Sequence, residues 1–132
     1  MRDAPTTAQS LVLDPSWGAG KDAPIVTRLR AAGAVLTGKT TTMEFAIGMP
    51  DFSKPFPIPR NPWDTARWSG GSSSGTGNGV AAGLFLAGIG ADPGGSILRP
   101  SAFCGVTGLI TTCSRVPKPA VFPFAVTLDQ PP

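Results

Sequence analysis

Apolar residues fall into short blocks along the chain, each closed by glycine or proline. The first 20 positions are polar and proline-punctuated, apart from Leu11-Val12-Leu13, and read as loop. Beyond them, Ile25, Val26, Leu29 and Ala32 recur at helical spacing. Asp22 reads as an N-cap, Pro24 suits a first turn and Gly33 suits a left-handed stop, so a helix is predicted over residues 23–32. Ala34 to Thr37 is a short apolar run bounded by glycines, which predicts a buried strand. Residues 49–69 hold Pro50, Pro55, Pro57, Pro59 and Pro62, which oppose helix and central strand alike, and read as loop. The pattern then predicts a helix from Asn78 to Leu86, rich in small residues that allow close packing. Ala87 to Ala91 should be a strand, residues 97–104 a helix interrupted early by Pro100, and Gly108 to Thr111 a further strand. Prolines dominate again from Val116 to Pro132, where no regular element is predicted. Helix alternating with strand is the pattern of an α/β fold.

The stretch from Gly70 to Pro100 carries the candidate chemistry. Two corners, Gly70-Gly71-Ser72 and Gly94-Gly95-Ser96, flank a small-residue and apolar run. Glycine lets the backbone approach a ligand closely, and its unshielded N–H groups suit an oxyanion or a phosphate. A serine after such a turn can present its hydroxyl as a nucleophile. A flexible Gly/Ser linker is the alternative, but Val80 to Ile89 is too apolar for one.

Gly70-Gly71-Ser72-Ser73-Ser74-Gly75, Asp92, Gly94-Gly95-Ser96-Ile97 and Pro100-Ser101-Ala102-Phe103-Cys104-Gly105-Val106, continued by Gly108-Leu109, resemble the signature of the amidase signature family. That family cleaves carboxamides with a Ser–cis-Ser–Lys triad. The resemblance implies an α/β fold with a large mixed sheet and helices on both faces, of which residues 1–132 would form a partial domain truncated at both ends. It implies Ser96 as nucleophile and Ser72 as the cis-serine, 24 positions apart as in the family. It also implies an oxyanion hole around Gly94 and Gly95, with Ser73 and Asp92 holding the serine loop. An acid role for Asp92 is the alternative. Trp63 and Trp68 read as packing against the neighbouring loop, with Trp68 lining a substrate mouth as the alternative.

Several positions depart from the family pattern. Its base is a buried neutral lysine, upstream of the segment that Pro5-Thr6-Thr7-Ala8-Gln9-Ser10 resembles, which places it before Met1. Lys21-Asp22 has the family's dipeptide, but beside a helix cap where the lysine should be exposed. Pro93 has no N–H for the oxyanion hole. Leu98 stands where the family has arginine, and Ile110-Thr111 where it has Lys-Pro. These departures leave two readings: an amidase-family hydrolase of carboxamide C–N bonds, or a catalytically dead remnant that serves as a binding or assembly piece.

Gly33 to Thr40 also matches the P-loop pattern. A P-loop needs a strand before its first glycine and a helix after its lysine, whereas a helix is predicted first here. Nucleotide binding is therefore set aside, and Lys39 reads as a solvated or helix-capping lysine. Gly38-Lys39-Thr40 with Met43, Glu44 and Phe45 resembles an amidase segment instead.

Composition narrows the remaining classes. With no histidine in 132 residues, a Ser-His-Asp triad or a His-ligated metal within this chain is excluded. The net charge of +3 comes from scattered basic residues, which gives no nucleic-acid signature. Cys104 reads as a packed thiol, and a disulfide with Cys113 is the alternative. No metal or cofactor is implied, and the expected partner is a small-molecule amide. The absence of a signal peptide and of a membrane-length apolar run predicts a cytoplasmic protein that does not bind membranes. Nothing in the sequence sets an oligomeric state.

Overall fold

Pro24 opens the first helix, α1 (Pro24–Ala31), at a position where its missing N–H is no loss. The cap is Ala23, not Asp22 as the sequence predicts. Asp22 instead accepts hydrogen bonds from the Arg2 backbone N–H at 2.7 Å and Arg30 Nε at 3.1 Å. At the other end, Gly33 has φ 82°. Its N–H donates to Arg30 O and the Ala34 N–H to Leu29 O, both at 3.0 Å. This Schellman closure satisfies two end carbonyls of the helix. The computed structural model describes residues 1–112, 115–117 and 121–123. Lys118, Cys113 and most of the stretch from Val116 to Pro132 lie outside them.

The second helix, α2 (Ser74–Ala81), begins four residues before the predicted start and ends five before the predicted end. Gly75, Gly77 and Gly79 argue against helix by propensity, at roughly 0.5–1 kcal/mol each. Contact overrides that preference. A Cβ on Gly75 would lie 2.7 Å from Thr41 N, and one on Gly77 would lie 2.9 Å from Pro100 Cβ. The bare face lets α2 lie directly on the segment around Thr41 and on the third helix, α3 (Leu98–Cys104). Pro100 falls in the first turn of α3, where its N–H has no helical partner to lose, and so does not break the helix.

The region predicted as loop over residues 49–69 contains the sheet of the described residues. Strands β1 (Arg60–Asn61) and β2 (Asp64–Trp68) pair antiparallel. Pro59 precedes the hairpin and Pro62 sits in its turn, so neither removes a ladder donor. Asn61 Oδ1 accepts the Trp63 N–H at 2.9 Å and closes the turn. Asn61 Nδ2 donates to Phe103 O and Trp63 Nε1 to Cys104 O, both at 2.7 Å. The hairpin thus satisfies carbonyls at the end of α3.

The strands predicted at 34–37, 87–91 and 108–111 form no ladder in the described residues. A strand needs a neighbour for its N–H and C=O groups. Side chains and close contacts hold parts of these stretches instead. Thr76 Oγ1 contacts Thr40 Oγ1 and donates to Ile89 O, both at 2.9 Å. Gly108 lies against Ser101 and Ile97. The buried centre is small and hydroxyl-rich: Ser69, Ser72, Ser73, Ser74 and Ser96 are buried with Met43, Pro100 and Cys104. Cys104 is a thiol without a disulfide partner among the described residues; its Sγ lies 3.3 Å from Ser69 O, and burial raises its pKa. No helix among the described residues is long and apolar enough to cross a membrane.

Candidate active site

The first corner is wedged between a ring and a helix. A Cβ on Gly70 would lie 2.9 Å from Pro100 Cα, and one on Gly71 would lie 2.6 Å from Trp68 Cζ2. Trp68 therefore packs against the corner, with its indole N–H buried and unpartnered among the described residues. Gly70 has φ 83°, and the Gly71–Ser72 peptide bond is cis. Ser72 is buried, its Oγ without a hydrogen-bond partner among the described residues, and its carbonyl accepts the Met43 N–H at 3.1 Å.

The two corners meet through Ser73. Its N–H donates to Ser96 O at 3.1 Å, and its Oγ accepts the Ala91 N–H at 3.2 Å. Ser73 thereby ties the start of α2 to both sides of the second corner. Ser96 is buried beside it.

Asp92 organises the second corner from beneath. Its Oδ1 accepts the Gly95 N–H, and its Oδ2 accepts those of Ile97 at 2.8 Å and Leu98 at 3.3 Å. Burial alone would raise the carboxyl's pKa. Donation from Ile97, Gly95, Leu98 and Ser96 outweighs it and holds the group below the ordinary carboxylate range. Arg99 grips the same peptide units from the carbonyl side. Its Nε donates to Gly95 O at 3.2 Å and its Nη2 to Gly94 O at 3.4 Å. The 94–95 unit is thus held at both ends, its carbonyl by Arg99 and its N–H by Asp92. Of the expected oxyanion donors, Gly95 is engaged by Asp92 and Pro93 has none to offer. Gly94 is exposed, with open space where a Cβ would stand.

The lysines lie elsewhere. Lys21 is exposed, as its sequence setting predicts. Lys39 donates to Thr6 Oγ1, and desolvation holds its ammonium below the usual lysine range. It follows no strand and opens no helix: α1 precedes Gly33, and residues 34–42 are non-helical. The P-loop geometry is therefore absent. Lys54 is ion-paired with Glu44. None of these three donates to Ser72 or Ser96. Sequence reasoning missed the Met43 contact with Ser72, the Arg99 grip and the Trp63 tie. Only the Gly-Gly pair opposite a nearby tryptophan gave a signal for close approach.

Residues 1–131 match the Amidase family model. The chain is 46% identical over 129 residues to the A subunit of glutamyl-tRNA(Gln) amidotransferase from Anaeromyxobacter sp. (strain K), covering 98% of this chain and 26% of that protein. The crystal structure of the corresponding Thermotoga maritima protein superposes with a TM-score of 0.90 at 38% identity, over 98% of this chain and 28% of the other. An amidase family protein from Bacillus anthracis superposes at 0.83 with 34% identity, over 96% of this chain and 26% of that one. The chain therefore spans about a quarter of the length of these relatives.

Proposed function

Since the chain belongs to the amidase family, with its α/β fold, we propose that it carries the serine pair of an amidase-type hydrolase, with Ser96 as nucleophile and Ser72 as relay. The observation that carries this reading is the Ser73 N–H to Ser96 carbonyl bond at 3.1 Å, which holds the two Gly-Gly-Ser corners together. The Ser72 hydroxyl, buried and without a partner among the described residues, is free to exchange a proton. Ser96 Oγ attacks the carboxamide carbon, its proton passes through Ser72 to a base, and the C–N bond breaks as the amine leaves protonated. Water then releases the acyl group from Ser96 as a carboxylate. Gly94 supplies the open N–H of the oxyanion site, and Asp92 and Ser73 hold the loop. The relatives' name points to a glutamine-type side-chain amide as substrate and to a larger assembly with protein partners.

No described lysine reaches the relay, so the 132-residue chain alone should not turn over amides; general-base catalysis is worth about 10²–10⁴-fold. A second reading, an assembly piece without turnover, draws on the exposed apolar side chains of Leu84 and Leu86. The test replaces the matched region of the Thermotoga maritima protein with this chain and assays glutamine hydrolysis. The hydrolase reading expects activity in the chimera that falls at least about 10³-fold in both Ser96→Ala and Ser72→Ala. A folded chimera whose activity survives Ser96→Ala overturns it.

A further inference from the structure

A cavity of about 190 Å³ lies between the turn at Gln9, the turn at Glu44–Ala46 and the loop over residues 47–58. Met43, Ile47, Met49, Phe56 and Ile58 give it apolar walls, while Glu44, Asp51 and Lys54 give it charge. It adjoins the serine pair, because the wall residue Met43 donates its N–H to Ser72 O. The four non-glycine residues with positive φ among the described ones are Ala8 (46°), Gln9 (51°), Phe45 (46°) and Ala46 (60°). All four belong to the two turns at this cavity, which the Phe45 N–H joins through Ala8 O at 2.9 Å. Left-handed conformations of this kind are strained for residues with a side chain and cluster at ligand clamps.

The polar groups have open valences. Gln9 lines the cavity with 9% of its surface exposed, and its side-chain amide makes no hydrogen bond among the described residues. Lys54 is held by Glu44, whose pKa is lowered first by that lysine and then by Ser10. Asp51 Oδ1 accepts the Ser53 hydroxyl at 2.6 Å and the Ser53 N–H at 3.0 Å, which keeps the carboxylate ionised. Asp51 Oδ2 has Lys54 Nζ only at 4.0 Å, beyond hydrogen-bond reach. Two carboxylates against one ammonium leave the cavity with one net negative charge.

We propose that this cavity binds a primary ammonium with a compact apolar body, its head on Asp51 Oδ2 and the Gln9 carbonyl oxygen and its body against Met43, Ile47 and Phe56.

The probe is benzylammonium, titrated into the 132-residue chain and followed by NMR at the Gln9 side-chain amide and the Met43 and Met49 methyl groups. Saturable shifts confined to these groups are expected. Benzyl alcohol and benzamide should bind at least about fivefold more weakly, and Asp51→Asn should weaken benzylammonium by about the same factor while leaving α2 signals unchanged. Gln9→Ala should weaken it as well, giving a second variant that removes no charge. Equal binding of benzylammonium and benzyl alcohol, equal binding of benzamide, indifference to both substitutions, or no saturable shift at the cavity would each overturn the proposal. The readout needs no turnover, so its failure leaves the serine pair's role untouched.

Discussion

At the scale of single residues, Asp92 governs the second corner. Its folded-state pKa lies below its unfolded value, so its stabilising effect is complete above the unfolded carboxyl pKa of about 3.9 and is lost as pH falls through the folded value. Asp92→Asn should destabilise the chain by about 2–3 kcal/mol at pH 7, since charged hydrogen bonds to three backbone donors are weakened. It should also flatten the acid limb below about pH 4, so that parent and variant converge there. Thermal melts from pH 3 to 7 read both effects, and parallel curves would contradict the assignment. Pro93 makes the opposite test. Restoring an N–H with Pro93→Thr in the Thermotoga maritima chimera should raise kcat by up to about 10²-fold with little change in KM, the signature of a transition-state donor. The proline deficit could be read directly and Asp92's donors stand only three to six positions away, whereas Ser73's partners Ala91 and Ser96 lie 18 or more positions along the chain, and only the family resemblance marked that serine. The Arg99 grip was not legible, although Gly95 and Gly94 are only four and five positions away, because the sequence does not show which way a long side chain in the first turn of α3 reaches.

Among the elements, what could be read was set by how local each signal is. The end of α1 was legible because Gly33 and the turn before it suffice to make the closure. The extent of α2 was not, because its glycines mean helix only when Thr41 and Pro100 press against them. The hairpin was hidden by its prolines, and its support comes from carbonyls more than 40 positions away. The extended segments at 34–37 and 87–91 have strand-like composition, yet composition does not supply a partner. Gly77→Ala tests the packing account of α2. Propensity alone favours alanine by about 1 kcal/mol. The contact with Pro100 should reverse that and destabilise by about 1–3 kcal/mol, because the proline ring and its carbonyl cannot give way cheaply. Chemical denaturation of the two forms decides it, and a stabilised variant would contradict the packing argument.

For the whole molecule, the fold and the surface point the same way. A chain that superposes on the Thermotoga maritima protein at a TM-score of 0.90 while spanning 28% of it leaves Leu84, Leu86, Val35 and Leu109 exposed. Apolar side chains in such number mark surface that suits burial against further protein. The candidate chemistry is nonetheless concentrated where two glycine corners meet, and the central claim is that Ser96 is the nucleophile there. The most direct measurement treats the chimera with a fluorophosphonate, which phosphonylates an activated serine hydroxyl and releases fluoride, and maps the adduct by peptide mass spectrometry. One adduct is expected, on Ser96, absent from Ser96→Ala and slowed at least about tenfold in Ser72→Ala. An adduct on Ser72 or on any other serine, or one that persists in Ser96→Ala, would contradict it.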